Sequence, residues 1–112
     1  MSVVAQTLIQ AKYAVSAFET QYSPNGARTI VDKFTATNNS GSIVDFSLFL
    51  VPNGQTAGSA EHRLLDRRPI DPGVCYTCPE IVGHVMESGD KIVTLASVGG
   101  SITIRASGRV IS

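Results

Sequence analysis

Cys75-Tyr76-Thr77-Cys78 is the one C-x-x-C of the chain, and that spacing invites two chemistries, tetrahedral zinc binding and thiol–disulfide exchange. Zinc needs four ligands, yet His62 and His84 are the only histidines and neither stands at a finger-like distance from the cysteines. Redox exchange favours a first cysteine at a helix N-terminus, where the thiolate is stabilised, whereas this pair falls in a stretch that reads as strand. Residues three apart on a strand point to opposite faces, so a direct disulfide between them is geometrically poor. The pair therefore reads as structural, with at least one thiol serving as a small buried hydrophobe. No metal is expected.

The rest of the chain offers little catalytic apparatus. There is no G-x-S-x-G, the glycines build neither a phosphate cradle nor a dinucleotide fingerprint, and the carboxylates are scattered. His62 falls in a loop-like region and His84 beside a short apolar stretch, ordinary surface and core settings. The expectation is no enzyme, no catalytic residue and no cofactor. Five arginines are better candidates for binding. Arg63, Arg67 and Arg68 cluster, while Arg105 and Arg109 project from one face of the last strand. Without an aromatic stacking platform they do not read as a nucleic-acid site. Their planar forks suit carboxylates, so a protein partner carrying Asp or Glu is the sharper expectation.

The elements that must position these residues are strands. In Ser42 to Val51, Val44, Phe46, Leu48 and Leu50 share one face and Asp45 and Ser47 the other. Thr29 to Asn38 precedes it, and Asn38-Asn39-Ser40-Gly41 between them suits a chain reversal, so the pair reads as a hairpin. In Ser101 to Ile111, Ile102, Ile104, Ala106 and Val110 alternate with Thr103, Arg105, Ser107 and Arg109. Leu64-Leu65 with Ile70 reads as a strand that Arg67, Arg68 and Pro69 interrupt, the proline marking an edge or a bend. Val74 to Thr77 and Lys91 to Ser97 read as further strands, and Pro79 to Met86 as one helical turn at most. Turns recur at Ser23 to Gly26, Pro52 to Gly54, Asp71 to Gly73, Glu87 to Asp90 and Val98 to Gly100. The expected fold is all-β, an antiparallel β-sandwich, Ig-like or jelly-roll-like, of about seven or eight strands.

The chain's 112 residues suit a single domain, 13–112, preceded by an arm or edge strand at 1–12 that carries Val3, Val4, Leu8 and Ile9. Paired with its own sheet or a neighbouring subunit, that segment would cease to be an aggregation liability. Hydrophobic residues are 43% of the chain and charged ones 16%, with nine basic and nine acidic side chains balancing to zero. Disorder is excluded, bulk attraction to nucleic acid is lacking, and weak self-repulsion favours assembly. No run approaches the roughly 18 apolar residues of a membrane span, and the N-terminus lacks a secretory pattern, so folding in a cytoplasm is expected.

Glu19-Thr20-Gln21-Tyr22 with Pro24-Asn25-Gly26, then Thr29 to Asn38 (TIVDKFTATN), Ser47 to Pro52 (SLFLVP) and Gly54 to Gly58, closed by Ile102 to Gly108 with Val110-Ile111, resembles small virion-associated proteins of tailed bacteriophages. The likeness runs from about Glu19 to Ser112. It implies a β-sandwich that coats or joins virion parts, as a capsid decoration (cement) protein or a neck or tail component. It also implies homo-oligomers, trimers at capsid symmetry points, with the major capsid protein or other virion proteins as partners. The implied location is the virion, assembled in the host cytoplasm. A tail-fibre module that contacts a host receptor is the alternative. Glycan binders present aromatic platforms, and a chain without Trp, with three Tyr and four Phe, has few to spare.

Overall fold

Branched apolar residues alternating with Thr, Ser and charged residues favour strands, and strands are the dominant element among the described residues. The computed structural model describes residues 2–112. Among the described residues there are nine strands: β1 (Val3–Tyr13), β2 (Glu19–Tyr22), β3 (Arg28–Asn38), β4 (Val44–Val51), β5 (Arg63–Ile70), β6 (Cys75–Tyr76), β7 (Val85–Met86), β8 (Lys91–Ala96) and β9 (Ile102–Ile111). A single 3-10 turn, Ala60–His62, precedes β5. The count exceeds seven or eight because residues 74–86, punctuated by Pro79 and Gly83, yield two two-residue strands.

Strand pairing is nested: β4 with β5, β3 with β6, β2 with β8 and β1 with β9, all antiparallel. That is the pairing of one long hairpin whose tip is the β4–β5 loop. Rolled up, the hairpin lays alternate pairs into two sheets. Sheet I has the order β1-β9-β3-β6, with β7 also on β3, and sheet II the order β2-β8-β4-β5. This is the jelly-roll arrangement of a β-sandwich, and it decides between the two sandwich types open to the sequence.

The expected hairpin of β3 and β4 is corrected by this topology, since the two strands lie in different sheets. Asn38 is the physical reason. Its buried side-chain amide donates to the carbonyls of Ser42 and Ile70, both at 2.8 Å, and its Oδ1 accepts from the Ser40 amide at 2.9 Å and the Ser40 hydroxyl at 2.7 Å. An amide satisfied on every side holds the polar segment as an arch over the sandwich instead of a tight turn within one sheet.

The core lies between the sheets. Val31, Phe34 and Ala36 of β3 and Ile102, Ile104 and Ala106 of β9 meet Val44, Phe46 and Leu48 of β4 with Ile92 and Ala96 of β8. The Phe34 and Phe46 rings approach to 6.3 Å, and burying each contributes about 1.5–3 kcal/mol. At Gly108 a side chain has no room, because a Cβ there would collide with the Ile30 carbonyl.

The second face of β4 departs from the alternation. Ser47, Phe49 and Val51 are buried and Leu50 is only half-buried. Phe18 stacks edge-on to Phe49 with ring centres 5.4 Å apart, and Ala57 of the β4–β5 loop packs on the same cluster of Phe49, Val51 and Val93. β5 is continuous where an interruption was expected. A bulge absorbs the extra residue at Arg67, whose φ is 44° and whose amide donates to Ser47 Oγ at 3.0 Å. Pro69 sits on this edge strand, as its missing donor requires.

Candidate partner-binding face

The five arginines do not form one patch. Arg63, Arg67 and Arg68 lie on β5, at the edge of sheet II, whereas Arg105 and Arg109 lie on β9, inside sheet I. Arg63 and Arg67 both reach Asp66, at 3.4 and 3.2 Å. Arg68 stacks over the Tyr76 ring at 4.3 Å, and the Tyr76 hydroxyl donates to Glu80 at 2.6 Å. The Arg68–Tyr76 stack links β5 of sheet II to β6 of sheet I on that side of the sandwich. Burial, reinforced by the hydrogen bond to Glu80, pushes the Tyr76 hydroxyl up to about 12. The opposite side is closed by Lys12 of β1 and Glu19 of β2 at 3.3 Å.

The C-x-x-C is divided between two environments. The expectation that both cysteines share a strand is corrected: β6 ends at Tyr76, and Cys78 follows in a turn with φ 46°. Cys75 is exposed and Cys78 is buried, both as free thiols. Burial raises Cys78 to about 12, the reverse of what a nucleophile or a thiolate ligand needs, so its contribution is packing. His62 ends the 3-10 turn and His84 is exposed before β7. Among the described residues no group of three or more His, Cys, Asp or Glu is placed to hold a metal ion.

The outer face of sheet I has a different character. Across β3 and β9, Ile30 is opposite Arg109, Lys33 opposite Ser107, Thr35 opposite Arg105, and Thr37 opposite Thr103. Arg109 grips Asp32 with Nε and Nη2, at distances from 2.9 to 3.2 Å. That carboxylate holds the guanidinium's pKa above its ordinary value. Beside this pair, Lys33, Thr35, Arg105 and Ser107 line an open cavity of about 380 Å³. The sequence reading missed Lys33 because strict alternation does not let Asp32 and Lys33 share an exposed surface. A bulge between Val31 and Lys33 does, and its trace in the sequence is the charged pair itself inside an otherwise alternating strand.

Two further surfaces are unfinished. The loops β1–β2, β3–β4, β5–β6 and β8–β9 gather at one end, tied by backbone bonds from Asn38 to Val74, Asn39 to Ser101 and Gly100 to Ala14. Each presents one exposed branched residue: Val15, Ile43, Val74 and Val98. β1 is an edge strand of sheet I, and Val3 and Val4 there are 57% and 51% exposed.

No protein-family model matches the chain, and no curated protein sequence does. Among solved structures, 97% of the chain matches 31% of a chain from the structure of infectious bursal disease virus Gx strain, at a TM-score of 0.53 and 14% identity. It also matches a chain of the infectious bursal disease virus VP2 subviral particle, at a TM-score of 0.46 and 13% identity, over 97% of this chain and 32% of that one. The chain thus spans about a third of the length of each of these virus chains. At 14% identity the first likeness is one of fold. Among the described residues no helix is long and apolar enough to cross a membrane.

Proposed function

We propose that this chain is a non-enzymatic structural protein of a virus particle, acting through contacts with other virion subunits and with copies of itself. The observation that supports it best is the jelly-roll match of 97% of the chain to a chain of a virus structure. The unfinished surfaces agree with it. Four loops presenting a branched apolar residue at one end, and an edge strand with exposed valines, are features that assembly would cover. Within that class the reading is a decoration protein on the shell of a tailed phage, trimeric at its symmetry points. That finer assignment follows from the resemblance of the strand sequences alone, since the structural likeness is to a chain of infectious bursal disease virus.

The test is a cryo-EM reconstruction of the particle that carries the protein, with its copy number counted in the same map. Density repeating over the shell supports decoration. Density confined to the portal axis or tail replaces decoration with a neck or tail role, and absence of the protein from purified particles, read by mass spectrometry, ends the virion reading. Deleting residues 1–12 is a poor test of self-assembly, because Leu8 and Ile9 belong to the core. Val4→Lys charges the edge alone, and it is expected to weaken association while leaving the monomer folded.

A further inference from the structure

We propose that Lys33 and Arg105 form a carboxylate-binding site on the outer face of sheet I, where an acidic segment of another virion protein docks. The site rests on the reading above only for the identity of the partner. Its chemistry comes from an account of the chain's nine cationic side chains. Lys12, Arg28, Arg63, Arg67 and Arg109 each meet a carboxylate. Arg68 lies over an aromatic ring, and Lys91 donates to the Gln55 carbonyl. Lys33 and Arg105 alone have none of these partners among the described residues, and they are neighbours.

The register makes them so. Lys33 is opposite Ser107 and Arg105 opposite Thr35, which sets the two cations diagonally across adjacent strands, a spacing of roughly 7–8 Å. Two like charges on that diagonal gain nothing from each other, and among the described residues neither forms an ion pair. The nearest carboxylate in sequence, Asp32, is already held in a fork by Arg109. The bulge that brings Lys33 to the surface beside Asp32 also places it on the rim of the cavity lined by Thr35, Arg105 and Ser107. Two cations and two hydroxyls converging on one concavity can donate to both oxygens of a carboxylate. The face suits an acidic side chain better than a nucleic acid, because the cavity has no aromatic lining and the chain has zero net charge.

The experiment is an amide NMR titration of the full chain with a capped Gly-Glu-Asp-Glu-Gly peptide. Its Gln and Asn counterpart, inorganic phosphate and a thymidine oligonucleotide are titrated in parallel. The acidic peptide is expected to shift the amides of Lys33, Thr35, Arg105 and Ser107, and the neutral peptide to leave them in place. Lys33→Gln with Arg105→Gln is expected to weaken binding roughly tenfold with no fall in melting temperature, while Arg63→Gln on β5 changes neither. Equal binding of the two peptides, an unaffected double variant, or saturation by phosphate or oligonucleotide at lower concentration than the peptide overturns the site. No peptide binding by the unsubstituted protein, when that protein is found on particles, overturns this proposal alone. Peptide binding by a protein absent from particles upholds the site and removes only the virion reading.

Discussion

The two outer faces of the sandwich are built from the same kind of strand and finished in opposite ways. On sheet II the outward residues Phe49, Val51 and Val93 are apolar, and the chain covers them itself with Phe18 and Ala57. On sheet I the outward residues of β3 and β9 are mostly polar, Thr35, Thr37, Thr103, Ser107, Asp32, Lys33, Arg105 and Arg109 beside a half-buried Ile30, and among the described residues no second apolar cluster forms over them. One face is satisfied within the molecule, while the other keeps hydroxyls and two unpaired cations available. The difference is what motivates the proposed docking site: on the outer face of sheet I, Arg109 is paired with Asp32 within the fold, whereas Lys33 and Arg105 are not paired with a carboxylate among the described residues.

The strongest way to break the comparison is to destroy the backbone on which the open face is laid out. Gly108→Ala places a methyl against the Ile30 carbonyl and crowds Leu8, so β9 must separate from β3 or buckle. The expected loss is on the order of 3 kcal/mol, read as a lower midpoint in chemical denaturation. An unchanged midpoint would mean that the two strands can part without cost.

Next in size is Asn38→Ala, which acts on the arch that assigns β3 and β4 to different sheets. The variant leaves two carbonyls and the Ser40 amide without their partner, and a loss of about 2–4 kcal/mol is expected in the same assay. Asn38→Asp is expected to be no milder, since a carboxylate cannot donate to the Ser42 and Ile70 carbonyls. A near-neutral result for both would show that the arch is held by its neighbours and not by this amide.

The cover on sheet II answers more weakly. Phe18 is itself half exposed, so Phe18→Ala forfeits an edge-to-face contact and the shielding of Phe49 but little core volume. About 1 kcal/mol of stability is expected to go, together with a rise in binding of an apolar fluorescent dye. If dye binding does not rise, the β4–β5 loop alone closes that face.

These positions differ in how well a sequence exposes them. The alternation in 102–110 identified the inward and outward residues of β9 correctly, and Pro69 marked an edge or a bend, of which the structure has the edge, because both signals are local. The pairing of β3 and β4 was misread, because Asn38-Asn39-Ser40-Gly41 is as suited to an arch as to a hairpin. What decides between them is the bond from Asn38 to Ile70, 32 residues away. The cover of Phe49 by Phe18 and the meeting of Lys33 with Arg105 were invisible for the same reason: each joins separate strands or loops through register. That at least one thiol packs as a small hydrophobe was legible, because burial of a thiol needs no partner, but which of the two it is, Cys78, came only with the fold.

The smallest effect is also the most discriminating. If the outer face of sheet I served the fold, replacing Arg105 by a residue of higher strand preference would cost stability through lost packing of its stem. If the face is kept for a partner, Arg105→Thr relieves the diagonal repulsion from Lys33 and adds a β-branched residue opposite Thr35, so stability should rise by roughly 0.5 kcal/mol. The sign, measured by denaturation at low and high salt, carries the argument. A gain that shrinks as salt screens the two cations identifies repulsion as its source, and a loss at both salt concentrations would place Arg105 among the residues that hold the sandwich together.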